Sequence, residues 1–224
     1  DEDTLAEILI RQGYATGLVA DAYHMFKPTM NYTRGFLSFD FIRGQENDNW
    51  KCGPLRLIRE QAARHTDTPD NATQNPTLFQ YLHNQRGRRS EEDYQCARVF
   101  QSAMNWIDDN ADNAPFFLWV DSFDPHEPWD PPAGYADRYS PKHGDIDYIM
   151  PLSGERLAKA PEALKRRIRA LYLGEVTFVD RWVGAFLDRL KARGLYDRSL
   201  IFIVSDHGTQ LLERGGFGKR PLDL

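Results

Sequence analysis

The sequence predicts an α/β domain built on a largely parallel sheet. Two runs, residues 116–120 (FFLWV) and 200–204 (LIFIV), are apolar at every position, as strands covered on both faces are. Such runs alternate with long stretches of helical periodicity, the pattern of βαβ units. Each run also breaks off into Asp, His and Pro or Gly at its carboxyl end, where ligands collect in open parallel sheets.

The elements follow in order. Asp3 and Thr4 cap a short helix through Arg11, with Leu5, Ile8 and Leu9 on one face. Residues 13–21 (GYATGLVAD) read as turn, strand and polar end, with His24 just beyond Asp21. Residues 31–48 are aromatic and turn-rich, and Arg34 and Arg43 are each followed by Gly. Thr, Asp, Asn and Pro dominate 66–77, a surface loop. Ser90 and the acids after it start a helix over 90–110, with Val99, Ala103, Trp106 and Ile107 at helical spacing. A second strand and a proline-rich loop fill 114–132, and 133–160 is irregular.

Pro161 and Glu162 open a long helix that Gly194 ends, its apolar face running from Ile168 and Leu171 to Leu190. The basic run at 165–169 (KRRIR) is expected on its solvated face. A third buried strand, 199–204, then leads to Asp206, His207 and Gly208.

A net charge of −5 argues against a nucleic-acid binder driven by phosphate contacts. No apolar run is long enough to span a bilayer. Cys52 and Cys96 make neither a disulfide framework nor a zinc array, so the compartment stays open. Residues 1–224 read as one α/β unit, and the absence of an initiating Met suggests an internal piece of a longer chain.

Three strand ends carry groups suited to chemistry: Asp21 with His24, Asp121 through His126, and Asp206 with His207. A carboxylate beside an imidazole, before a glycine that permits a turn, suits either a divalent ion or an ordinary turn. His126 lies between two prolines, whose fixed φ stiffens the loop. Asp130 stands where a His-Glu-x-x-His motif needs its second histidine, which excludes that zinc site. Lys219 follows a glycine-rich loop, a position that suits either a lysine holding an anionic group or an ordinary exposed lysine. Phosphate-loop, dinucleotide-loop and nucleophile-elbow motifs are absent from the sequence.

Together, GYATGLVADAYH, RGFLSFDFIRGQEND, FFLWVDSFDPHEPWDPP, YLGEVTFVDRWVGAFLDRL and LIFIVSDHG with GFGKRP resemble the sulfatase family of the alkaline phosphatase superfamily, in the family's order. The resemblance implies a three-layer α/β/α fold, here incomplete, and metal-dependent hydrolysis of a small-molecule or saccharide sulfate ester. Phosphodiester or phosphonate monoester hydrolysis on the same fold, or a catalytically inactive anion-binding piece, are the alternatives. It implies a bound divalent cation, usually Ca2+ and sometimes Mg2+ or Mn2+, with Asp206 and His207 as two ligands. His126 matches the histidine at the leaving-group oxygen, Lys219 the lysine across sulfate oxygens, and His24 a further site histidine. Asp21 and Ala22 stand where that last motif has a lysine. Cys52 in CGPLR partly matches the formylglycine motif but follows the Gly-Tyr-x-Thr segment that the family's nucleophile precedes. The nucleophile and the remaining metal ligands are therefore expected upstream of Asp1.

Overall fold

A computed structural model of the chain describes residues 2–113 and 115–219. The order is α1 (Leu5–Arg11), β1 (Ala15–Ala20), β2 (Ser38–Phe41), α2 (Arg59–Ala62), α3 (Pro76–Asn84), α4 (Gln95–Asn110), β3 (Phe116–Asp121), α5 (Gly154–Lys159), α6 (Glu162–Ala192), β4 (Gln210–Leu211) and β5 (Phe217–Gly218).

β1 lies between β2 and β3, parallel to both, so the expected α/β architecture with a parallel sheet is present. All six residues of β1 are buried, which suits its small and branched side chains. Gly17 is required there because a Cβ would meet the Trp106 indole at 2.5 Å. On that face Val19, Val99 and Ala103 form a core with Leu118 and Phe186 at its edge, so α4 and α6 are the helical layer. The opposite face is aromatic: Phe36 stacks on Phe117, and Phe26 on Phe39 and Phe41. Phe39 and Trp119 remain about half exposed there, and no described helix covers them.

A second core lies beyond the sheet, where Ile58, Leu78, Trp129, Ile149 and Ile168 are fully buried. It fastens the loop after β3 to α3 and the first half of α6.

Several expectations are corrected. Thr4 does cap α1, in a reciprocal box with Glu7, but Leu5 and Ile8 point to solvent and only Ala6 is buried. Ser90 caps a short 3-10 turn at Glu91–Asp93, and α4 starts at Gln95. β2 arises within the segment read as turn-rich, and α3 begins at the end of the segment read as loop and runs on through residues given no element. Arg167 of the basic run is buried, because it binds Asp147 through two nitrogens and Asp137 and the Ser140 carbonyl through a third.

The largest correction concerns 200–204. Residues 201–205 have no regular secondary structure, and Leu200, Phe202, Ile203 and Val204 are 70% to 86% exposed. An apolar strand needs a ladder partner and cover on both faces, and the described residues supply neither here.

Candidate active site

The carboxyl ends of β1 and β3 meet because the strands are parallel and in register, with Ala20 opposite Asp121. Asp21 donates its N–H to the Asp121 carbonyl at 3.3 Å. Its own carboxylate accepts the Phe123 N–H at 2.6 Å, tying the two chain exits together. His24 and His126 both lie against the Phe123 ring, with centroid distances of 6.1 and 4.2 Å. The structure thus brings two of the predicted site histidines around one aromatic side chain.

His126 is held at two points. Its N–H donates to the Phe123 carbonyl at 2.9 Å, and Nδ1 lies 2.7 Å from the Glu127 carbonyl oxygen. A carbonyl only accepts, so Nδ1 carries a proton and Nε2 is the nitrogen left for chemistry. His24 sits in the 3-10 turn Tyr23–Phe26, with Lys27 Nζ 3.2 Å from Nδ1 and Glu46 Oε2 3.1 Å from Nε2. An ammonium only donates, so Nδ1 accepts from Lys27 and Nε2–H donates to Glu46. Lys27, which also lies 4.6 Å over the Tyr23 ring, was not singled out in the sequence. It supplies a cation next to the segment where Asp21 and Ala22 replace the expected lysine.

His207 Nδ1 lies 2.9 Å from the Gly208 carbonyl, so Nε2 is the nitrogen left to face a ligand. Nε2 stands 3.4 Å from Asp206 Oδ2. Two neighbouring ligands each about 2.0–2.6 Å from a shared ion are separated by about that distance. The pair therefore fits a divalent cation as part of a ligand set. Among the described residues no group of three or more His, Cys, Asp or Glu side chains completes one. Asp206 reaches the same edge as Asp121, whose carboxyl pKa is raised by burial and further by the Asp206 charge.

Lys219 is exposed and lines a cavity of about 600 Å3 between α5, the start of α6 and the β4–β5 hairpin. That hairpin docks on the His126 loop, because Phe217 meets Trp129 edge-on at 5.9 Å. Cys52 is exposed, and Arg86, just beyond the end of α3, donates to its carbonyl.

Beside the histidines lies a buried set of acids, of which Asp21 and Asp124 fall in the strand ends singled out in the sequence and Glu175 does not. Gln45 Nε2 donates to Asp124 Oδ1 at 2.6 Å and lies 3.5 Å from Asp21 Oδ2. Asp124 is half-buried as a residue, but its carboxyl group is enclosed by protein, and burial pushes its pKa up to about 6 against the pull of Arg88 and Gln45. Burial raises Asp21 and Glu175 as well, each helped by the Asp124 charge. Protons on these groups belong to the folded state, so their stabilising contribution is complete below the ordinary carboxyl range. It is lost as pH rises through the raised values, about 6 for Asp124. A shift from 3.8 to about 6 is worth at most about 3 kcal/mol. The thermal midpoint of the chain should accordingly be higher at pH 5 than at pH 8, and Asp124→Asn should flatten the difference. A wild-type midpoint that is level or rises over that range contradicts the assignment.

The carboxyl ends of β1 and β3 thus bring together His24, with its partner Lys27, and His126, while Asp206–His207 and Lys219 stand on segments outside that three-stranded sheet. The chain belongs to the Sulfatase family, whose model matches residues 1–222. It is 30% identical over 138 residues to an arylsulfatase of Clostridium perfringens, covering 54% of this chain and 28% of that protein. It is 28% identical over 126 residues to a choline-sulfatase of Rhizobium meliloti, covering 48% and 24%. The phosphonate monoester hydrolase of Agrobacterium radiobacter superposes with a TM-score of 0.62 at 20% identity, covering 97% of this chain and 49% of that one. The one from Silicibacter pomeroyi gives 0.60 at 21%, covering 98% and 50%. The chain thus spans about half the length of these structures and about a quarter of the curated relatives.

Proposed function

We propose that the protein hydrolyses a sulfate ester, with His126 as the acid that protonates the departing oxygen. The observation that carries this reading is the anchoring of His126 Nδ1 on the Glu127 carbonyl at 2.7 Å, which aims a single free nitrogen, Nε2, from a stiff loop. A proton on Nε2 is then transferred to the ester oxygen as a nucleophile from outside the described residues bonds to sulfur and the S–O bond breaks, so the alcohol leaves neutral. Glu127 Oε2 lies 3.5 Å from Nδ1, a carboxylate beside the ring. Lys27 and Lys219 hold the non-bridging oxygens as compact charges, and His24 orients Lys27.

Asp206 and His207 would hold a divalent cation, calcium in our reading, with further ligands from outside the described residues. When bound, the ion offsets negative charge on the sulfuryl group. Chelation of the protein as the cell makes it should lower aryl sulfate hydrolysis by about a hundredfold or more. Calcium should restore the rate in wild type and not in Asp206→Asn. Restoration by magnesium or manganese alone reassigns the ion, and a rate untouched by chelation refutes a metal role. Sulfate esters should be cleaved faster than phosphonate monoesters in one preparation, and the reverse order points to the phosphonate alternative.

A further inference from the structure

The stretch IRGQEND (residues 42–48) has no role in the reading above, yet its turn touches both histidine-bearing loops. Arg43 clamps it by binding Asp48 through Nε and Nη2, both at 2.7 Å. Asp48 also accepts the Gly44 N–H at 2.9 Å, and Gly44 adopts φ 111°, a conformation that favours glycine. From this clamped base two consecutive side chains diverge. Gln45, 3% exposed, turns inward and donates to Asp124 Oδ1 at 2.6 Å, two residues before His126. Glu46 holds φ 45°, a left-handed conformation uncommon for a side chain of its size, and turns outward to accept from His24 Nε2 at 3.1 Å.

We propose that the Gln45–Glu46 step is a two-sided positioning element that sets His24 relative to His126. Backbone strain at Glu46 is the feature that lets adjacent residues serve opposite sides. Asp21 lies under the same amide at 3.5 Å, so the exit of β1 is drawn into the arrangement. The catalytic meaning of this placement rests on the proposed ester hydrolysis, but the placement itself is tested without activity.

The test is long-range 1H–15N correlation spectroscopy of the histidine side chains in the chain. Glu46→Ala should shift the His24 nitrogens and speed exchange of its Nε2 proton, leaving His126 in place. Glu46→Gln keeps an oxygen acceptor and should recover the wild-type His24 signals. Gln45→Met should shift His24 and His126 together, since it frees the shared base. Where that variant fails to fold, Gln45→Asn, which keeps the amide but shortens its reach, should give the same paired shift. His24 signals unchanged in Glu46→Ala, or a Gln45 variant that moves only one histidine, overturns the proposal. Because the readout is spectroscopic, a protein inactive on sulfate esters would still support it, and an active one could still refute it.

Discussion

Arg88→Met should destabilise the chain by about 3–5 kcal/mol, the cost of stranding buried charge by removing its partner. Such a loss is a large share of the 5–15 kcal/mol typical of a whole domain. Arg88 donates to Asp130 Oδ2 at 3.0 Å, to the Tyr81 hydroxyl at 3.1 Å and to Gln95 Oε1 at 2.5 Å. Its guanidinium lies 3.8 Å from the Tyr94 ring centre. Burial opposes its charge, but Tyr81 and Asp130 outweigh burial and keep it protonated. The same cation draws down the raised carboxyl pKa values of Asp124 and Glu175. Methionine would fill the space while leaving those acids without a counter-charge. The deficit should grow between pH 5 and pH 8, as Asp124 ionises, and urea unfolding at the two pH values measures it. Lysine should rescue little, since one ammonium cannot reproduce a fork that serves three acceptors. A loss below about 1 kcal/mol would mean that without Arg88 the acids simply keep their protons and leave no charge uncompensated.

Where the sequence was readable, the reason is a strong period or a local cap. β1 and β3 are short apolar runs, and α4 and α6 repeat their buried positions through Val99, Ala103 and Ile107 or Ile168, Leu171 and Leu190. β2 was hidden because its four residues, Ser38–Phe41, alternate polar and aromatic side chains inside a turn-rich stretch. α3 did carry a local signal: Asn75 caps it by accepting the Leu78 N–H at 3.1 Å, and Pro76 stands at its first position. The run at 200–204 misled because composition reports what a strand wants, while burial depends on neighbours.

The site divides in the same way. His126, Asp206 and His207 stand at the ends of apolar runs, so sequence pattern alone draws the eye to them. Lys27, Gln45 and Glu46 have no such marker. Lys27 reaches His24 from three residues along an irregular turn. Gln45 meets Asp124 across a sequence separation of 79 residues, and Glu46 points to His24 only through a left-handed backbone. Tertiary contact and backbone handedness carry this information, and neither has a one-dimensional signature.

His126→Ala should lower kcat on a sulfate ester of a poor leaving group, such as an unactivated alcohol, by about a thousandfold with little change in KM. The fold should survive, because the side chain is half-buried and its losses are the contacts with the Phe123 ring and the Glu127 carbonyl. An acid matters in proportion to the charge that would otherwise build on the departing oxygen. On 4-nitrophenyl sulfate, whose phenolate leaves unaided, the same substitution should therefore cost about tenfold or less. Equal losses on both esters would make His126 a binding group, because substrate positioning does not depend on leaving-group basicity. Unequal losses in the stated order are the result expected of a proton delivered as the ester bond breaks.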